Sequence, residues 1–209
     1  MKEYGRAIVV EDDLSLSPAF LEYMNHALDF YSNDENVKHI AGFTPPLNKK
    51  LEETFFFPVP SCWGWASWER AWKHFNPDAA YLLPKILAKG RRQFDLNYSF
   101  NYVRMLKRNV RGKVDSWFIR WYASIYLLDG LCLHPGKSLV RNTGLDHSGI
   151  NSYKSTVFDT EITDHVEIRT IPCQISKEAI KAHFNFNLKV KIRLLPEYAW
   201  RVITRNTDT

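Results

Sequence analysis

The sequence predicts an α/β fold. A β-branched run, Ile8-Val9-Val10, ends abruptly in three carboxylates, Glu11-Asp12-Asp13. Strand-like and helix-like periods then alternate as β-α-β-β as far as Val59. Hydrophobic residues make up 45% of the 209 and aromatic residues 14%, which suits one domain with a full core rather than a disordered chain.

Arg6–Val10 reads as a buried strand. Ser17-Pro18 opens a helix, with Ser17 as N-cap and Pro18 in the first turn, and Phe20, Met24, Ala27, Leu28 and Tyr31 recur at helical spacing. Val37–Phe43 reads as a second strand, stopped by Thr44-Pro45-Pro46, and Thr54–Val59 as a third. In Ser61–Trp68 a glycine sits between two indoles, so a tight bend under bulky rings is expected, followed by a helix through Trp72 and Phe75. Pro84–Lys89 and Leu96–Lys107 read as helices and Lys107–Lys113 as a basic loop. Asp115-Ser116 caps a long helix, Trp117–Leu128, with Trp117, Trp121, Ile125 and Leu128 on its apolar face. Leu131–Leu133 and Ser138–Val140 read as short strands, with His134 in the turn between them. Asn142–Gly149 is a polar, glycine-bearing loop. Beyond Pro172, Ser176–His183 reads as a short helix, and Leu188–Ile203 mixes apolar and basic residues around Pro196. The domain is expected to end near residue 165, with 166–209 as a basic C-terminal segment.

Charge is unevenly placed. Residues 177–205 hold seven Lys/Arg and two Glu, which accounts for the whole formal excess of +5. Such a segment suits an anionic membrane surface or a solvated helix docked on the domain. No nucleic-acid module accompanies it, so nucleic acid is not an expected partner. Three cysteines at no motif spacing argue against a disulfide scaffold or a zinc site and for a reducing, cytoplasmic setting. No apolar run is long enough to span a bilayer.

Three adjacent anions repel one another, so a fold that gathers them at a strand end has reason to put a cation there. Hard oxygen ligands suit Mg²⁺ or Mn²⁺, and ligands of open α/β sheets collect at the carboxyl ends of strands. A solvated acidic turn ahead of a helix is the other reading of the same triplet. Asp115 likewise reads either as a plain helix cap or as a carboxylate available for general-base work.

Four motifs occur in order: Val9-Val10-Glu11-Asp12-Asp13, Cys62-Trp63-Gly64-Trp65-Ala66-Ser67-Trp68, Val114-Asp115-Ser116-Trp117, and Asn142-Thr143-Gly144-Leu145-Asp146-His147-Ser148-Gly149. The set resembles nucleotide-sugar-dependent glycosyltransferases of the GT-A fold. It is most similar to bacterial transferases that build surface polysaccharide, and more distantly to the Golgi N-acetylglucosaminyltransferase that starts complex N-glycans. The resemblance runs from about Arg6 to about Ser152. It implies a Rossmann-like domain with a mixed sheet and flanking helices. It implies Asp13 as the ligand of Mn²⁺ or Mg²⁺, with His147 or a neighbour in the late loop over the diphosphate. It implies Glu11 and Asp12 facing donor sugar and ribose. Trp63 and Trp65, with Gly64 between them, read as donor-site rings that stack on donor or acceptor sugar, with at least one of the two expected to be a core wedge instead. Asp115 matches the base of the inverting relatives. In that family a nucleotide-binding half precedes the acidic motif, whereas ten residues precede it here. The chain is therefore expected to be the C-terminal part of such a domain.

The expected activity is transfer of a sugar from a nucleotide sugar, a UDP-sugar, to a glycan or lipid-linked acceptor with inversion. The expected place is the cytoplasm, peripherally at the inner face of the membrane. Two other readings stay open: a glycoside hydrolase with paired carboxylates, and a non-catalytic sugar-binding or membrane-associated remnant.

Overall fold

A computed structural model of the chain describes the backbone of residues 1–144 and 156–205 and the side chains of 1–144 and 157–193. The fold is mixed α/β. Strands β1 (Arg6–Val9), β3 (Val37–Ala41), β4 (Thr54–Phe57), β5 (Trp65–Trp68) and β6 (Leu131–Pro135) form one sheet in the order β1-β5-β3-β6-β4. β5 runs antiparallel to both β1 and β3, β6 is parallel to β3, and β4 is antiparallel to β6. β1, β3 and β6 therefore all point the same way. Two short strands, β2 (Leu14–Leu16) and β7 (Val140–Asn142), pair separately.

Period-two alternation splits the core into two layers. On β4, Phe56 faces one cluster while Phe55 and Phe57 face another. The first is closed by α1 (Phe20–Phe30), which contributes Phe20, Tyr23, Met24, Ala27 and Leu28, all buried. The second is closed by α3 (Ala79–Phe94), α4 (Tyr102–Val110) and α5 (Trp117–Leu127). A smaller aromatic cluster around Trp121 joins α5 to the short α2 (Glu69–Trp72). The last helix, α6 (Lys177–Arg205), crosses β4 with Ala179 and Ala182 buried.

Several expected boundaries move, each for a local reason. The bend expected at Gly64 is there, at φ +59°, but Trp65–Trp68 beyond it, where no strand was expected, is the strand that joins β1 to β3. α1 starts two residues after Pro18; Ser17 Oγ accepts from Ala19 N at 3.1 Å and donates to Thr163 O at 2.6 Å. α3 starts well before Pro84, because Asp78 caps it by accepting from Ala80 N and Tyr81 N. Buried Leu82 and Ile86 hold the helix across the proline. Leu96, Asn97 and Tyr98 all have positive φ, so the helix expected from Leu96 begins only at Tyr102 and runs to Val110, into the stretch expected as a basic loop. β2 was not expected at all. The strand expected at Ser138–Val140 is β7, and Ser138 instead bridges Ile162. α6 is one helix, Lys177–Arg205, where a short helix at Ser176–His183 and a separate basic segment at Leu188–Ile203 were expected. His134 is not a turn residue; it lies on β6, 4% exposed.

The segment after residue 165 is tied to the body. Ile168 is buried in the first cluster, and Ser176 N donates to Phe56 O at 2.9 Å.

Candidate functional site

β1 delivers the acidic triplet to the carboxyl end of the three co-directional strands. Glu11 is half-buried, while Asp12 and Asp13 are exposed. Burial, and then the charges of Asp12 and Asp13, raise the pKa of the Glu11 carboxyl above its ordinary value. Beside it the Cys62 thiol is pushed up to about 12, first by burial and then by the charge of Glu11. The start of the Trp-rich motif therefore lies in the field of the triplet.

β7 brings the late polar loop to the same place. It pairs with β2 so that Leu14 faces Asn142, and the Asp13 carbonyl accepts from both Thr143 N (2.8 Å) and Thr143 Oγ1 (3.1 Å). Gly144 lies directly against the Asp13 side chain. A Cβ built on Gly144 would sit 2.7 Å from Asp13 Oδ2 and 2.8 Å from its Cγ, so glycine is what lets the Asp13 carboxylate stand there. His147 lies outside the described residues.

The two indoles of the Trp-Gly-Trp motif part company at Gly64. Its φ of +59° breaks the strand alternation, and its carbonyl accepts from Gly42 N at 2.8 Å. Phe20 and Val140 fill the space a Cβ would need at either glycine. Trp63 then turns toward the α1 side, edge-on to Phe43 and Phe158, and is only partly buried. Trp65 turns to the other face of the sheet. There it is 4% exposed, stacked with His39, Trp72 and Trp117 at centroid distances of 5.1–5.5 Å. Trp65 is thus a packing residue with no free ring face for a sugar, and its Nε1 has no hydrogen-bond partner.

Asp115 lies two residues before Trp117, a member of the same stack. Trp117 lies on Trp65, whose Cα partner on β1 is Val9. The cap reading does not hold: Ser116 is the N-cap residue of α5, and no side chain there bonds the helix terminus. The Asp115 carboxylate is 87% exposed and is met by Arg120 Nη1 at 2.8 Å.

Sequence reasoning missed a cavity of about 780 Å³ at the same end of the sheet, on the β6–β4 side. Its wall combines Lys49, Lys50 and Lys137 with Glu52, Asp159 and Glu161. The signal was present as Pro45-Pro46 and Gly136, which mark where chain reversals leave the strand ends. Buried histidines were also missed. His39 has Ser61 N at 3.2 Å from Nε2 and Trp121 Nε1 at 3.3 Å from Nδ1. Both neighbours can only donate, and a neutral imidazole offers one lone pair, so one of these contacts is satisfied at a time. Burial lowers its pKa well below the ordinary value.

Among the described residues, no three His, Cys, Asp or Glu side chains converge as a metal cage. Mg²⁺ and Mn²⁺ bound with a diphosphate need only one or two carboxylates, the rest coming from phosphate oxygens and water. The mutually repelling triplet beside Gly144 has that character. Among the described residues no helix is long and apolar enough to cross a membrane. No protein-family model matches the chain, and no curated protein matches it.

Proposed function

We propose that the chain is a metal-dependent, inverting glycosyltransferase that moves a sugar from a nucleotide sugar, a UDP-sugar, to a glycan or lipid-linked acceptor. The observation that carries this reading is the acidic triplet at the carboxyl end of β1, with the Thr143-Gly144 turn closed onto Asp13. The four-motif resemblance to GT-A enzymes supplies the reaction class.

Asp13, with Glu11 or Asp12, would hold Mn²⁺ or Mg²⁺, which supplies charge neutralisation for a leaving diphosphate. Asp115 takes the proton of the acceptor hydroxyl as that oxygen bonds the anomeric carbon from the face opposite the departing diphosphate oxygen. A positioned base of this kind contributes ~10²–10⁴-fold. Arg120 at 2.8 Å orients the carboxylate. Trp63, the indole that keeps part of its surface open, shields the donor sugar from water. The cavity beside β6 and β4 takes acceptor units remote from the reacting hydroxyl. Strand spacing puts β6 three steps, about 14 Å, from β1.

Calorimetric titration with UDP, with and without Mn²⁺, tests the reading. Binding should need the metal and should vanish in Asp13→Ala. Asp115→Asn should keep UDP binding while donor turnover falls by roughly 10²–10⁴. Metal-dependent UDP binding that persists in Asp13→Ala, or full transfer by Asp115→Asn, would overturn the corresponding assignment.

A further inference from the structure

The geometry points to a second functional surface at the opposite sheet edge: the outer face of α6, with the turn at residues 96–100, docks on an anionic lipid bilayer. This does not rest on the transferase reading. The first turns of α6 are fixed to the body, with Ala179 and Ala182 buried, His183 stacked 4.0 Å from Phe57, and Phe186 5.7 Å from Phe158. Farther along, Leu188 is 44% and Ile192 59% exposed. Four residues apart, they share one stripe, and helical spacing turns that stripe away from Ala179, Ala182 and Phe186.

The neighbouring turn extends the same surface. Leu96, Asn97 and Tyr98 are held at φ +46°, +55° and +64°, which non-glycine residues rarely adopt in succession. That turn leaves Tyr98 54% and Phe100 37% exposed. It is clamped to α6: Lys191 Nζ donates to Tyr98 O at 2.7 Å and Asn187 Nδ2 to Ser99 Oγ at 3.1 Å. Two aliphatic and two aromatic side chains thus stand in water on adjoining elements.

Charge selects the occupant. α6 carries seven Lys/Arg against two Glu, the whole net excess of the chain, along a helix of about 44 Å. The sequence continues the apolar spacing at Leu195, Ala199 and Val202 while adding Arg201 and Arg205. An apolar stripe flanked by cations and exposed aromatics is the composition of a helix lying in a bilayer interface. A second copy of the chain is a poorer occupant, because two such helices bring like charge together.

Co-sedimentation of the full chain with phosphatidylcholine vesicles, with and without phosphatidylglycerol, tests this. Binding should require phosphatidylglycerol and weaken at high salt, where charges are screened. Leu188→Asp with Ile192→Asp should weaken it roughly ten-fold or more, and Lys189→Ala roughly five-fold. The altered side chains are exposed, so circular dichroism should be unchanged. Leu21→Asp, at a 57% exposed site on α1, should bind as the parent does. No binding to the mixed vesicles at low salt would overturn the proposal. So would equal binding to neutral vesicles, undiminished binding by the double variant, or dissociation of a dimer as its only effect.

Discussion

The two edges of the sheet are built oppositely. At the β4 edge every strand residue is buried, α6 covers it, and two neutral imidazoles are stacked among phenylalanines. At the β1 edge the strand is only half-buried, Val10 is 44% exposed, and the strand runs out into three carboxylates. No strand of the described residues pairs with its outer side. The first edge spends its residues on packing. The second keeps charge in reach of solvent, where a ligand can use it.

Two glycines turn this difference into a measurement with the largest expected effect. A Cβ at Gly136, beside the β4 edge, would lie 2.0 Å from the Glu52 carbonyl oxygen, which is backbone and cannot swing aside. Gly136→Ala should cost about 3 kcal/mol or more in urea unfolding. The three atoms nearest a Cβ at Gly144 all belong to the exposed Asp13 side chain, its Cβ at 2.8 Å among them. The carboxylate can rotate away but the Asp13 Cβ cannot, so the exposed turn must shift as well, and Gly144→Ala should cost about 1 kcal/mol while displacing the Asp13 carboxylate and weakening metal-dependent UDP binding. Equal stability losses at the two positions would erase the distinction between the edges.

This contrast was partly legible in the sequence. Val9-Val10 followed by three acids announced a strand ending in charge, and the apolar spacing of α1 and α5 was strong enough to place both helices within two or three residues. Where boundaries failed, tertiary contacts had overridden local signals. Trp65–Trp68 is a strand because β1 and β3 flank it, and neither neighbour is near it in sequence. Pro84 looked like a helix boundary because proline removes an N–H, yet it lies inside α3. The parting of Trp63 and Trp65 depends on one positive φ at Gly64, which the motif suggested without giving its direction. The cavity was missed because its wall comes from three separate chain segments, and Pro45-Pro46 and Gly136 mark the reversals without showing that they meet.

Acid should act on the two edges with opposite sign. His134 is held at about 4 and His183 at about 3, both chiefly by burial. Unfolded, each returns to about 6.5 and takes up a proton that the native state refuses. Stability is therefore fully present above about pH 6.5 and falls as the pH drops toward 4. The full slope is about 1.4 kcal/mol per pH unit for each histidine. His183→Gln keeps a donor for the Ala179 carbonyl, which the imidazole Nδ1–H serves at 2.9 Å, and should flatten the acid limb by about a third, because buried His39 contributes in the same sense as His134 and His183. An unchanged slope would remove His183 from the account.

The smallest effect is expected at Glu11. Its raised pKa means that the native state binds a proton more readily than the unfolded chain does, the reverse of the histidines. The ionised carboxyl is a strain on the fold above its native pKa, and that strain is lost as the pH falls through it. Glu11→Gln should therefore stabilise the metal-free protein at neutral pH by a few tenths of a kcal/mol. The advantage should shrink in acid, where the parent is protonated as well. Added Mn²⁺ should reverse the ranking, because a cation that neutralises the triplet stabilises the parent by mass action and finds one charge fewer in the variant. Thermal melts of both proteins, with and without Mn²⁺ at neutral and acid pH, separate these effects. A Glu11→Gln variant less stable than the parent without metal would mean that this edge, like its opposite, is held by packing rather than kept open for charge.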